Sequence, residues 1–457
     1  MLDFQTDYAP LQARHAAALA ALQHNVVRVH GYDRPVLIEG AEYPGIWLEC
    51  GPLEGALYGA IDPRVAFDNH RVFFRMQRED GYLPCYVWFK EFGTGQIQMV
   101  VPIAATAWEV YQQQGDAEFL EEAYTACARW DAWLARYRNT RGRNLCEAFC
   151  EYDTGHDNSP RWKGLPHQCP DRDARICPQS AALPWLAPDL SATVYGGRIA
   201  LAEMAQALRR PDEAVAWRQR AAETRRAILA YCFDPQDGAF YDLDRNERFV
   251  RVRGDALTRV LSEHVVEQAL FDDIYRRQIH NPQAFWTPYP LPSIAADDPT
   301  FERQLPRNSW GGASQALTAL RAPRWFEHYG QGADLRILMR QWLAAIVAGP
   351  GFMQQINPWT GAFTPSADGY SPCMLVLVDF VARLHGIRRR MDRLEWNCIL
   401  PAGARYSRYS LDTPRGAAVL VLEKDSAVLT LAGKEITRVT AAGQIVTDLD
   451  GKVIRMA

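Results

Sequence analysis

No apolar run in this chain approaches the roughly 20 residues that span a bilayer, so a membrane-spanning helix is not expected. The opening residues, Met1-Leu2-Asp3-Phe4-Gln5-Thr6-Asp7, offer neither a positively charged segment nor an apolar one. A secretory leader is therefore not expected, and the chain reads as cytoplasmic. Basic blocks are missing as well. Acids and bases mix along the chain to a net charge of -4, which argues against nucleic acid as a partner. No long Lys/Arg amphipathic face offers itself to a membrane surface. Ten cysteines in 457 residues are sparse for a disulfide scaffold, and a reducing compartment keeps them as thiols. Cys146, Cys150, Cys169 and Cys177 lie close together, with His156 and His167 among them. They include no CxxC pair and read as buried thiols, not as a zinc site. Dinucleotide, P-loop, HExxH and GxSxG signatures are also absent, and neither a metal nor a cofactor is expected.

What is present is a large core. Apolar residues make up 48% and charged residues 23%, enough to fold one large domain and a smaller one. Fourteen Trp and nineteen Tyr suit either a big helical core or the stacking faces of a sugar site.

From about residue 10 to 388 the apolar spacing is helical. Helices are expected at Leu11–Leu22, Val101–Tyr111, Ala117–Tyr137, Leu190–Leu208 behind an Asp189 cap, and Asp212–Tyr231. Others are expected at Leu257–Tyr275, Gly312–Leu320, Leu335–Val347 and Pro372–Leu384. Pairs meet at Gly115-Asp116 and Pro211-Asp212, connections too short for anything but antiparallel neighbours. The longer stretches 81–98, 151–188, 281–312 and 349–371 fall between pairs. This pattern predicts a mainly α fold, a closed (α/α) toroid with its site at one mouth, over residues 1–388. Beyond 389 the texture is β: Ala417–Glu423, Ala427–Leu431 and Glu435–Thr440 are short runs separated by turns at Asp425-Ser426, Gly433-Lys434 and Ala442-Gly443. Residues 389–457 read as a small β module with a packing role.

The segment Glu151-Tyr152-Asp153-Thr154-Gly155-His156-Asp157-Asn158-Ser159-Pro160-Arg161-Trp162 gathers three carboxylates, an Arg and aromatics where Gly and Pro interrupt a helix. It can hold a tuned general acid or be a polar loop with capping acids; spacing alone leaves both open. Gly155-His156-Asp157-Asn158-Ser159-Pro160-Arg161 resembles the G-x-D-N/D-S-P-R motif of family 63 glycoside hydrolases and their mannosylglycerate-hydrolase-like relatives. Family 37 trehalases carry a looser version. Asp80-Gly81-Tyr82-Leu83-Pro84, Gly95-Gln96-Ile97-Gln98, Asp189-Leu190-Ser191-Ala192, Phe285–Ser293, Asn308-Ser309-Trp310-Gly311-Gly312 and Asn357-Pro358-Trp359-Thr360-Gly361 are similar to further stretches of that family, in its order. The resemblance covers roughly residues 45–385.

It implies an (α/α)6 barrel and an inverting glycosidase acting on an α-linked disaccharide, a short oligosaccharide or a small glycoside. The family's acid maps onto Asp157, with Trp162 expected to raise its pKa by desolvation. The opposing base is expected roughly 6.5–9.5 Å away. Its family position is Gln354, in Phe352-Met353-Gln354-Gln355-Ile356-Asn357-Pro358, and an amide takes no proton from water. Three explanations stay open. A Glu has been replaced here; another acid, among Glu151, Asp153 and Asp368, is the base; or this branch changed or lost its chemistry. Substrate-binding candidates are Trp47 and Glu49 at a W-D-like position, Gln96 and Gln98 for hydroxyls, Arg161 to orient Asp157 or clamp a carboxylate, and Trp310 and Trp359 as sugar platforms. The partner is a carbohydrate; a homo-oligomer is left open. Two rival readings remain: a sugar isomerase or epimerase using His156, His264, His280 or His328 in pairs, and a non-catalytic sugar-binding relative.

Overall fold

The computed structural model describes residues 2–440 and 443–456. Its helices, in chain order, are α1 (Ala9–His24), α2 (Gly51–Tyr58), α3 (Pro63–Arg75), α4 (Ile103–Gln114), α5 (Ala117–Tyr137) and α6 (Pro188–Ala207). There follow α7 (Pro211–Ala227), α8 (Ala256–Ser262), α9 (Gln268–Ile274), α10 (Ala316–His328), α11 (Gly332–Ala348) and α12 (Ser371–His385). The even-numbered helices contact one another in sequence, and α12 returns to α2, so six inner helices close a ring. Of these, α2, α4, α6 and α10 pack on the helix that follows and α12 packs on α1, while α9 follows α8. This is the (α/α)6 barrel. Burial follows position. All seven residues of α8 are buried, as an inner helix requires, whereas α7 buries only the stripe Ala214, Trp217, Ala221, Thr224 and Ala227.

Local chemistry sets the turns. Gly115 ends α4 in the left-handed region (φ 76°), and Asp116 caps α5 by accepting the Phe119 N–H at 2.9 Å. Asp62 caps α3 ahead of Pro63 in the same way. Some expectations shift. Asp189 lies inside the first turn of α6, not before it; its carboxylate takes two bonds from Arg161 and accepts only the Leu190 N–H of the helix, at 2.9 Å. The segment 257–275 is two helices, because His264 adopts a left-handed φ of 58° and turns the chain from inner to outer ring. The helix expected from Gly312 begins at Ala316, since Ser314–Gln315 pairs as a strand with Gln355–Ile356. The helices α2 and α3 were not foreseen; Gly51, Pro52, Gly55 and Gly59 break the helical texture there.

The β layer draws on both chain ends. One antiparallel sheet orders Asp3–Thr6, Tyr406–Thr413, Gly416–Glu423, Ser426–Leu431 and Lys434–Val439. A second orders Ile387–Arg389, Arg393–Asn397, Gln444–Asp448 and Val453–Met456. The turn expected at Ala442-Gly443 lies partly outside the described residues. Alternate side chains of Tyr406–Thr413 enter one core with α12. Among the described residues no helix is long and apolar enough to cross a membrane.

Phe4 couples the layers: it is 3% exposed, pairs opposite Tyr409 and meets the His15 ring of α1 at 5.0 Å. Phe4→Ala is expected to cost about 3–5 kcal/mol in thermal or denaturant unfolding. The exposed neighbour substitution Gln5→Ala is expected to stay within about 0.5 kcal/mol.

Candidate active site

The two ends of the barrel differ. At the C-terminal ends of the inner helices the connections to the outer ring are short turns. At their N-terminal ends arrive the long segments 25–50, 76–102, 138–187, 228–255, 275–315 and 349–370, braced by short strand pairs. The polar residues converge at this mouth.

The segment carrying Asp157 is built from two single 3-10 turns, Glu151–Asp153 and Pro160–Trp162. Beneath it Asp153 and Arg138 form an ion pair with no exposed side-chain surface. Asp153 also accepts the N–H groups of Ile97 (2.8 Å) and Phe149 (2.7 Å). Gly155 has a φ of 62°, and a Cβ there would lie 2.4 Å from Glu49 Oε1, so only glycine lets Glu49 reach the loop.

Asn308, itself left-handed at φ 46°, joins the acid to position 354. Its Nδ2 donates to Asp157 Oδ2 at 3.0 Å, and its Oδ1 accepts from Gln354 Nε2 at 2.8 Å. Gln354 Oε1 accepts from the Tyr43 hydroxyl at 2.9 Å. One amide bridging both groups holds Asp157 and Gln354 no more than roughly 8 Å apart. The Trp310 N–H to Asp157 carbonyl bond (3.2 Å) and the Asn158 Nδ2 to Asn308 carbonyl bond (2.8 Å) lock the two segments together.

Burial pushes the Asp157 carboxyl up to about 6, against the Asn308 bond, which favours its anion. It is one of a group. Burial raises Glu49 to about 7 and Glu54 to about 8. Glu39 is held well above the usual range by burial and by the charges of Glu54 and Glu49. Gln98 donates to Glu49 Oε2 at 3.0 Å, and the Tyr370 hydroxyl donates to Glu39 at 2.9 Å. Glu49 Oε1, Gln96 Oε1, Trp47 Nε1 and Arg259 Nη2 are buried and make no hydrogen bond within the protein. They are a mixed set of acceptors and donors, as recognition of a polyol requires. Glu39, Glu54, Tyr43 and Asn308 were not foreseen, apart from Asn308 as part of a motif; no local pattern marks a buried carboxyl in a loop or a first helical turn.

Other expected residues take different places. Arg161 spends all five N–H bonds: two on Asp189, two on Asp242 and one on His156 Nδ1, at 2.6–2.9 Å. No donor remains for a substrate carboxylate, and its part is to position the loop. Trp162 is 2% exposed, stacked on Trp185 at 4.4 Å with its N–H on Thr154. It packs beneath the loop and does not face a ligand. Trp310 is likewise buried, against the His156 ring and the Arg259 guanidinium. Trp47 is half-buried among Tyr43, Tyr86 and Trp88, and Trp359 is 40% exposed beside Phe301, so these two retain open ring surface.

The alternative bases are engaged. Glu151 accepts from the Asn158 N–H and pairs with His167; Asp153 is closed off by Arg138. Asp368 Oδ1 accepts the Phe352 and Gly369 N–H groups at 2.6 and 2.8 Å. The histidines do not assemble at the mouth. His156 is neutral, pushed down to about 3 by burial and the nearby Arg259. His264 stacks on His328 at 3.6 Å at the far end of α10, and His280 approaches Asp334 of α11. Cys150, Asp153 and Cys169 offer three ligand atoms within 4.8 Å of one another. The Arg138 guanidinium already supplies the cation there, bonding Asp153 and approaching Cys169 Sγ at 3.7 Å, so the group does not fit a metal.

Fold and mouth together define an (α/α)6-barrel glycosidase. The domain model described as mannosylglycerate hydrolase MGH1-like glycoside hydrolase matches residues 56–371, and the chain belongs to that family of glycoside hydrolases. None of the curated proteins matches it in sequence. Among solved structures, the family 63 mannosylglycerate hydrolase from Thermus thermophilus in complex with glucose is similar at a TM-score of 0.64 and 20% identity, covering 81% of this chain and all of its own. Neutral trehalase Nth1 from Saccharomyces cerevisiae is similar at 0.58 and 12%, covering 76% and 73%. A family 78 rhamnosidase from Bacillus sp. GL1 is similar at 0.62 and 10%, covering 94% of this chain and 40% of its own.

The raised carboxyls fix a direction for stability. Glu54, Glu49 and Asp157 bind protons in the folded state at pH values where the unfolded chain has released them. Their contribution is complete below about pH 4 and is lost as pH rises through about 6 to 8. Tm is expected to fall between pH 5.5 and 8.5, and Glu54→Gln, neutral throughout, is expected to flatten that fall. An unchanged slope in the variant refutes the assignment.

Proposed function

We propose that this glycoside hydrolase acts by inversion on a small α-linked glycoside, with Asp157 as the general acid and position 354 as the station of the attacking water. The observation that supports the reading is the Asn308 bridge, one amide bonded to both Asp157 and Gln354. Asp157, raised to about 6, keeps a protonated fraction towards neutrality and gives that proton to the departing glycosidic oxygen. Glu49, Gln96, Gln98 and Trp47 bind the sugar hydroxyls, and Trp359 stands at the rim for the second unit. Relatives named mannosylglycerate hydrolase and trehalase support a ligand of disaccharide size. The reaction draws on no cofactor, nucleic acid or membrane, and the cytoplasm is its proposed location.

Gln354 limits the rate. Its carbonyl oxygen already accepts from Tyr43, and an amide cannot take the proton of the attacking water. The Asn308 amide fits this residue: it gives N–H to a carboxylate on one side and accepts N–H from an amide on the other.

The test is hydrolysis of α-linked disaccharides and aryl glycosides by the chain, by Gln354→Glu and by Gln354→Glu with Asp157→Asn. Gln354→Glu is expected to raise turnover by about 10²–10⁴-fold, and adding Asp157→Asn to remove the gain. Activity of the Gln354→Glu variant is expected to fall as pH rises above about 6, where Asp157 loses its proton. Efficient turnover by the chain itself, harmed by Gln354→Glu, overturns the assignment of position 354.

A further inference from the structure

We propose that Cys150 and Cys169 are a modification site: a thiol pair that peroxide converts to a reversible disulfide, stapling the loop of the catalytic acid to the segment 166–169. Their Sγ atoms are 3.9 Å apart, in van der Waals contact, and both residues are buried. The chain around them is already paired. Glu151 N–H donates to the Pro166 carbonyl at 3.0 Å and Tyr152 N–H to that of His167 at 3.1 Å. The Tyr152 and His167 rings stack at 5.3 Å, and Cys169 N–H is tied to the Gly95 carbonyl. A disulfide needs the sulfurs at about 2.05 Å. With the backbones held alongside each other, side-chain rotation supplies most of that closure.

Three further observations point the same way. The pair is not a metal site, because Arg138 holds Asp153 between them. That guanidinium also stands 3.7 Å from Cys169 Sγ, supplying the positive charge that a reacting thiolate needs beside it. Cys177 packs on the same small cluster with Phe149 and is only partly buried, so the cluster reaches towards the surface.

The chemistry balances. Cys169 thiolate attacks one peroxide oxygen; an S–O bond forms, the O–O bond breaks and hydroxide leaves. Cys150, its thiol pushed up by burial, then attacks the sulfenic sulfur. The S–S bond forms, the S–O bond breaks, and water departs with the Cys150 proton. Two electrons pass from the two sulfurs to peroxide. The link closes beside Glu151, whose carboxylate holds the Asn158 N–H next to Asp157. Oxidation therefore immobilises the acid's loop.

The full-length protein is treated with hydrogen peroxide under native conditions, its remaining thiols are alkylated, and intact mass and peptide maps are read. The expected result is loss of two hydrogens, one linked peptide joining Cys150 to Cys169, reversal by dithiothreitol, and a higher Tm for the oxidised form. Cys150→Ser should lose the link and the Tm rise together. Alkylation of both Cys150 and Cys169 after oxidation, a link involving Cys177 instead, or stoichiometric zinc in the untreated protein each overturns the proposal. The wild-type peptide map decides even where the serine variant folds poorly.

Discussion

The barrel mouth depends on one buried ion network. Three guanidiniums, of Arg161, Arg259 and Arg321, face three carboxylates, of Asp189, Asp242 and Asp255. Asp189 belongs to α6, Arg259 to α8 and Arg321 to α10, while Arg161 comes from the acid's loop. His156 closes the set between Arg161 and Asp255. Such charges survive burial only when each is paired and hydrogen-bonded; removing one partner of a buried pair costs about 3–5 kcal/mol. The network therefore fixes the loop to three of the six inner helices at once, and Asp157 inherits its position from ion pairs made on other elements.

The other wall of the mouth is the reverse case. Glu39, Glu49 and Glu54 are buried and Asp157 is half-buried, all with fewer opposing cations, and desolvation drives them towards the neutral form. The same protein thus holds Asp189 and Asp255 ionised beside guanidiniums, while desolvation pushes Asp242 and the second set upward. That contrast lets one mouth hold both ionised carboxylates and carboxyls that keep protons above the usual range. Left-handed backbone at Gln98, Asn158 and Asn308, all at this mouth, fits a site whose geometry is imposed by its surroundings.

Gln354 is fitted closely to its neighbours. The amide at 354 is held at both ends, by Tyr43 and by Asn308. A carboxylate there reverses the demand on Asn308, which would then face acceptors on both sides. The frame and the residue are matched, and replacing one alters the requirement on the other.

The sequence by itself determined most of the helices, the short links that pair them and the side of the barrel that bears the long loops. Apolar spacing sets the first, Gly115-Asp116 and Pro211-Asp212 the second, and the lengths of the connecting segments the third. It also placed Asp157 and Gln354 at one site through the order of its motifs. Only the tertiary structure decided what each polar side chain does. Arg161 and Trp162, neighbours of Asp157 in the motif, are spent on Asp189, Asp242 and Trp185, partners distant in sequence. Glu39 and Glu54 belong to the site although nothing local distinguishes them, and the Asp3–Thr6 strand joins a sheet some 400 residues away. Periodicity and turn chemistry are local and can be read along the chain. Ion pairing, desolvation and strand partnership depend on which distant groups meet.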